Sequence, residues 1–341
     1  ARMPAALDAR HLGRRIAQLV VLGAVSLLAI STLPGLGEVR ERFAGADPAW
    51  LVLAAGLEAA SMLGFVAAFR GVFCRRMGWG FSAQVAVSEQ AANVLLPAGG
   101  AGGLALGAWA LSRGGMATGH IARRSVAFWL VTSSANFVAV VAVGVAVATG
   151  ALPSDVSLWL ALGPAALATV AIAAVLALPG VLRRRAPGHG GGDRRRKVRA
   201  AAHTAADGVE DAVRLLRTGG ALVAGGALAY MTFDIAVLGA TFAAFGGAPP
   251  VADLLLAYLL GQLGGLIPVP GGIGGTDGGL VAALVLFGTP LAPAAAAVLA
   301  YRVFQLGLPA AAGTVAFATL RRTLSRDARP AARCAPLAEA A

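Results

Sequence analysis

The chain has 341 residues, 58% of them hydrophobic and only 13% charged, with 28 Lys+Arg against 16 Asp+Glu and a formal net charge of +12. A water-soluble domain of this size cannot hide so much apolar side chain, and the apolar residues recur in uncharged runs of about 20, the length of a bilayer-crossing helix. The alternating strands of a membrane barrel are missing, and nucleic acid is not needed to explain the basic balance, because arginines at the cytoplasmic ends of membrane helices produce it.

Residues 1–15 carry Arg2, Arg10, Arg14 and Arg15 and are placed in the cytoplasm. A first span follows over 16–36. It is long and lacks a small-residue cleavage site, so it reads as a retained helix rather than a signal peptide. A second span over 50–69 ends in Arg70, Arg75 and Arg76, back inside. The stretch 81–112 has two arms. The first carries Gln84, Glu89, Gln90 and Asn93, too polar for a lipid-facing span, and the second is too short to cross. Arg113, Arg123 and Arg124 then demand the cytoplasm again. The economical reading is a re-entrant helical hairpin, which requires that its broken backbone be buried in protein or line a wet cavity.

Spans over 125–149 and 156–178 complete the first half, joined outside by a link without Lys or Arg. Residues 183–218 read as a basic cytoplasmic linker, Gly-rich at first and then helix-compatible, with Val209, Val213 and Leu216 at helical spacing. Its charge is read mainly as a topology signal, although basic residues there also attract anionic lipid. The second half, 219–320, holds a span over 220–245, a second broken hairpin over 251–287 and a last span from 291. A short cytoplasmic tail, 321–341, begins with Arg321 and Arg322. On this topology only Arg40 and Arg42 face outward. The expected fold is an all-α polytopic membrane protein with about six full spans and two re-entrant hairpins, both termini cytoplasmic.

The two halves resemble each other. The run from Glu58, EAASMLGFVAAF, lines up with DIAVLGATFAAF from Asp234, and AGGAGG from Ala98 lines up with PGGIGG from Pro270. With the topology above, the two units enter the membrane from opposite sides, as inverted repeats of secondary transporters do.

Several residues are candidates for chemistry. Pro97, Gly99 and Gly100, and Pro268, Pro270, Gly271, Gly272 and Gly274, would form the backbone of the two hairpin tips, where glycine permits sharp turns and proline breaks helices. Asp277 stands where a half-helix begins, as a cap, an ion-pair partner or a receiver of a cationic head group. Glu58, Asp234 and Arg302 lie inside predicted spans, where ionisable groups face a bundle interior or a pathway. Either carboxyl could carry a proton, and a structural ion pair of Arg302 with Asp277 or Asp234 is the plain alternative. Glu89 and Asn93 share one helix face. The substrate-cavity candidates are therefore Glu58, Glu89, Asn93, Asp234, Asp277 and Arg302. No nucleophile–base pair and no P-loop is present, the four histidines lack metal-ligand spacing, and neither cofactor nor enzyme activity is expected. Cys74 and Cys334, far apart and beside basic residues, are not expected to pair.

These motifs carry a resemblance. PVPGGIGGTD resembles the Pro-x-Pro-Gly-Gly-x-Gly-x-x-Glu motif of the lysylphosphatidylglycerol synthase transmembrane region, a flippase-like family. EQAANVLLPAGGAGG is similar to its first-half motif, and AYRVFQLGLPAAAG to its arginine-bearing last span. That family includes the flippase half of the multiple peptide resistance factor, which is fused to an aminoacyl transferase. Asp277 takes the place of the family's usual Glu, Arg302 matches the last-span arginine, and Gly103 and Leu106 fall where the first half often has an acid and an arginine. The resemblance implies a flippase or transporter of the cytoplasmic (inner) membrane that handles a phospholipid or polyprenyl-linked lipid. A transferase is a possible partner and nucleic acid is not. With no transferase domain after Arg322, lysyl-lipid synthesis is not expected of this chain alone. The alternatives are a non-transporting membrane subunit that positions a lipid-modifying transferase, and a small-solute secondary transporter.

Overall fold

The computed structural model describes residues 37–95, 101–154, 156–184, 193–218, 220–262 and 275–326, with 330, 331 and 334. The expected first span, 16–36, and the tip residues Pro97, Gly99, Gly100, Pro268, Pro270, Gly271, Gly272 and Gly274 lie outside the described residues. Regular structure among the described residues is helical throughout: α1 (Gly37–Ala44), α2 (Pro48–Phe73), α3 (Trp79–Leu95), α4 (Ala101–Arg113), α5 (Thr118–Ala148), α6 (Leu158–Arg184), α7 (Asp193–Thr218), α8 (Gly220–Ala244), α9 (Val251–Gly261), α10 (Gly275–Leu286) and α11 (Leu291–Arg326). By length and composition α2, α5, α6, α8 and α11 are able to cross a membrane. Their outward faces are apolar, with Leu63, Trp129, Trp159, Leu167, Val170 and Val303 all largely exposed, as a lipid solvent requires.

The centre of the bundle is the pair α2 and α8, which pack antiparallel along their whole length. At one end the Asp47 N–H donates to the Ala244 carbonyl at 2.9 Å. Further along, the Ser61 hydroxyl donates to the Tyr230 carbonyl at 2.9 Å. The backbones then almost touch: a Cβ on Gly64 would lie 2.6 Å from the Tyr230 nitrogen, and one on Gly226 would lie 2.6 Å from the Ala68 nitrogen. Small residues allow this approach, and packing, rather than hydrophobicity, holds helices together in lipid. Phe65, Phe69 and Phe128 meet edge to face, with centroids 5.0 and 5.6 Å apart, and lock α5 onto this pair.

Around that axis the packing is reciprocal. α3 packs on α4, as α9 packs on α10; α3 packs on α11, as α9 packs on α5; and α2 contacts α3, α5 and α11, as α8 contacts α9, α11 and α5. The outer ends of the two short-helix pairs lie at opposite ends of the bundle. Both feet of α3–α4 lie at the end where α2 finishes: His120 Nε2, at the start of α5, is 3.3 Å from the Phe73 carbonyl oxygen. Both feet of α9–α10 lie at the other end, where residues 246–250 and 287–290 line one cavity.

The end shared by the C-terminus of α2 and the N-terminus of α5 is the basic one. Arg124 donates to the Val72 carbonyl at 3.0 Å, so a cation meets the negative end of α2. Asp211 of α7, itself buried, gathers Arg123 at 3.2 Å, Arg124 at 3.4 Å and Arg214. α7 fills most of the stretch read as linker and packs against α5, α6 and α8. Its buried face is Ala206, Val209, Asp211 and Ala212, whereas Leu216, chosen from sequence, is exposed.

One expectation is corrected here. Cys74 and Cys334 form a disulfide, with their Cα atoms 5.7 Å apart. The cause is tertiary. The Ala331 N–H donates to the Gly114 carbonyl at 2.9 Å, so the chain beyond α11 turns back across the foot of α4 and reaches Cys74, the C-cap of α2. Separation along the sequence carried no information about that return.

Candidate functional site

Four of the six residues singled out from sequence converge where α2, α8, α9, α10 and α11 meet. Asp234 stands on the α2-facing side of α8 and is buried. Its Oδ2 accepts two hydroxyl bonds, from Tyr258 of α9 and from Tyr301 of α11, the latter at 2.9 Å. Glu58 of α2 lies opposite, near enough for the two carboxylates to oppose each other electrostatically, and its Oε2 has no hydrogen-bond partner among the described residues. Tyr230 borders both acids. The chain has three tyrosines, and all three surround this pair.

One residue after Tyr301 along α11, Arg302 is buried and pairs through Nε with Asp277. Its Nη1 donates to the Gln305 side chain. Asp277 lies in the first turn of α10, where the helix dipole also favours a carboxylate. Arg302 thus faces two acids, paired with Asp277 and within electrostatic reach of Asp234.

Glu89 and Asn93 sit elsewhere, inside the α3–α4 pair. Asn93 Oδ1 accepts the Gly103 N–H at 2.8 Å, and so satisfies one of the open amides at the start of α4. The Glu89 carboxylate occupies the space where a Gly107 Cβ would stand, and a Cβ on Gly103 would lie 2.6 Å from the Glu89 carbonyl oxygen. Glycines at 103 and 107 are what admit these two side chains. Nearby helices carry further buried polar atoms without partners among the described residues: Gln84 Oε1 and Gln90 Oε1 on α3, Trp109 Nε1 on α4 and Asn136 Oδ1 on α5. Buried polar atoms are ordinarily satisfied by protein or water.

The sequence reading missed Tyr258, Tyr301 and Gln305. A tyrosine in an apolar helix is unremarkable by itself, and only the crossing of three helices turns its hydroxyl toward an acid. A cavity of about 500 Å³ opens at the end away from Cys74, lined by Arg42, Phe245, Asp253, Phe287 and Thr289 among others. Its lining does not include Glu58, Asp234, Asp277 or Glu89. Asp253 there accepts a hydrogen bond from Ser154. No grouping of His, Cys, Asp and Glu able to hold a metal ion occurs among the described residues.

No curated protein and no solved structure matches the chain. The sequence model of the lysylphosphatidylglycerol synthase TM region matches residues 15–313, a stretch that contains every acid and the arginine described above. By that match, and by its apolar, helical, multi-pass architecture, the chain belongs to the lysylphosphatidylglycerol synthase TM region family.

Proposed function

We propose that this protein moves an amphiphile, a phospholipid or a polyprenyl-linked lipid precursor, between the leaflets of the cytoplasmic membrane. One observation carries the reading: charged and hydroxyl groups of Glu58, Asp234, Tyr258, Tyr301, Asp277 and Arg302 are concentrated inside a bundle whose outer surface is apolar. A head group would engage these polar residues while its chains remain in lipid. Ionisable groups inside a membrane bundle are costly and are retained along substrate or ion paths.

In this reading α2–α5 and α8–α11 are inverted repeats, and α3–α4 and α9–α10 are re-entrant hairpins. The reciprocal packing and the outer ends of the short pairs at opposite ends of the bundle support it. Helix length supports it as well: at about 1.5 Å per residue, α9 and α10 reach only about half of a 30 Å hydrocarbon core. The basic end of the bundle would face the cytoplasm, where reducing conditions would hold the neighbouring Cys74 and Cys334 as thiols. A transferase that makes the transported lipid would be the natural partner.

The test is reconstitution into liposomes that contain fluorescent phosphatidylglycerol or phosphatidylethanolamine, with dithionite quenching of the outer leaflet. Purified protein should make more than half of the label accessible, and Arg302→Gln should slow that exchange. If no head group exchanges, the protein is instead a non-transporting subunit. Uptake of a water-soluble solute without lipid exchange would make it a small-solute transporter.

A further inference from the structure

We propose that Glu58 and Asp234 form a proton-carrying site whose loading and unloading is coupled to the lipid movement described above; the inference rests on that reading. The first argument is charge balance. The interior set contains three carboxyl groups, Glu58, Asp234 and Asp277, and one guanidinium, Arg302, which is paired with Asp277. With every group ionised, the centre of a membrane bundle would hold two uncompensated negative charges, and isolated buried charges of this kind are expelled, neutralised or paired. A proton on one of the two opposed acids removes most of that cost.

The hydrogen bonds say which acid takes it. Asp234 already accepts two hydroxyl donors, from Tyr258 and Tyr301, so its Oδ2 is satisfied. Glu58 receives no such help: its Oε2 is buried and unpartnered among the described residues. Every element around the pair agrees. α8 contributes Tyr230, α9 contributes Tyr258, and α11 contributes Tyr301 and Arg302. A metal cation is a poor occupant, because it needs a shell of oxygen acceptors, and the tyrosine hydroxyls point their protons at Asp234.

Position gives the proton a route to matter. Asp47 meets Ala244, Ser61 meets Tyr230 and Gly64 meets Tyr230, an antiparallel register of α2 and α8 that sets Glu58 level with Asp234 at the contact about which the packing of the halves is arranged. Any rocking of one half against the other separates or joins them. Joined, they favour a proton on Glu58. Separated, with water admitted, Glu58 releases it to the open side as an ordinary carboxylate.

Infrared spectroscopy of the purified protein in nanodiscs tests the site without reference to transport. Wild-type protein should show a carboxylic-acid C=O band that shifts in D2O; Glu58→Gln should weaken it, with Glu89→Gln as the control for another buried acid, and Glu58→Asp should keep it. A band of equal strength in Glu58→Gln overturns the proposal. In proteoliposomes with fluorescent phosphatidylglycerol, a pH gradient should change the exchange rate several-fold, and a sodium gradient should not. Indifference to the pH gradient, or a response to sodium alone, overturns the coupling. If the wild-type protein exchanges no lipid at all, the transport reading fails, while the infrared result still decides the proton site. Should Glu58→Gln not fold, Asp234→Asn is the second variant: it removes the opposing charge, and a band that stays unchanged in both intensity and position overturns the pairing.

Discussion

Arg302 is held by Asp277 and Gln305 at once, and the pair is poorly exposed. The Asp277 side chain is a quarter exposed, so breaking this pair costs less than the ~3 kcal/mol of a fully buried one. Arg302→Gln should therefore lower stability by about 1–2 kcal/mol in denaturant unfolding from detergent micelles. The double variant Asp277→Asn with Arg302→Gln should recover part of that loss, and equal losses in the single and double variants would contradict the pairing. Tyr258→Phe and Tyr301→Phe each delete one hydroxyl bond to an acid, worth about 2 kcal/mol; the two changes combined should exceed either alone. The acids and the arginine were legible because a charge inside an apolar run stands out at once. Their pairing was not, since Arg302 had two acids to choose from and sequence offers no distances. Tyr258 and Tyr301 were silent for the same reason, and the Cys74–Cys334 bond was read in the wrong direction.

α2 and α8 depend on two glycines for their separation. Gly64 and Gly226 have no room for a Cβ, whereas Gly56, on the same helix as Gly64, has nothing within 4 Å of that position. Gly64→Leu or Gly226→Leu should abolish recovery of folded, monodisperse protein, with Gly56→Leu recovered at near wild-type yield. Size-exclusion profiles of the three, prepared in parallel, decide it, and a normal profile for both core variants would show that the close approach is dispensable. The helices themselves were readable from hydropathy, because lipid imposes length and composition on any span. Their edges were less so. The span expected over 125–149 begins at Thr118, since His120, Arg123 and Arg124 have work inside the helix: they meet the end of α2 and the carboxylate of Asp211. Charges that look like a loop on paper are here the first turns of a helix. The same applies to α7, whose buried face includes the acid Asp211 and so escapes a search for apolar spacing.

At the scale of the molecule, the packing makes a statement about sides. Gly78 and Ala117 flank the α3–α4 pair at the basic end of the bundle, and Ala248 and Thr289 flank the α9–α10 pair at the other end. If the short pairs are hairpins that enter and leave on one side, both members of each couple must share a side, and the two couples must differ. Single cysteines at these four positions, in a chain with Cys74→Ser and Cys334→Ser, can be challenged in intact cells with a membrane-impermeant maleimide. Ala248→Cys and Thr289→Cys should react directly. Gly78→Cys and Ala117→Cys should react only after permeabilisation, because arginines gather at their end and positive charge is retained in the cytoplasm. If Ala248→Cys and Thr289→Cys labelled from opposite sides, one helix of the α9–α10 pair would have to cross alone, which an 11- or 12-residue helix is too short to do. The repeat would then be broken, and with it the reason for Glu58 to meet Asp234 at the centre. Labelling of all four from one side would place α2 and α8 parallel, against the contact of Asp47 with Ala244 at one end and of Gly71 with Val223 at the other. The sidedness of four surface residues therefore tests the geometry that holds the buried acids together.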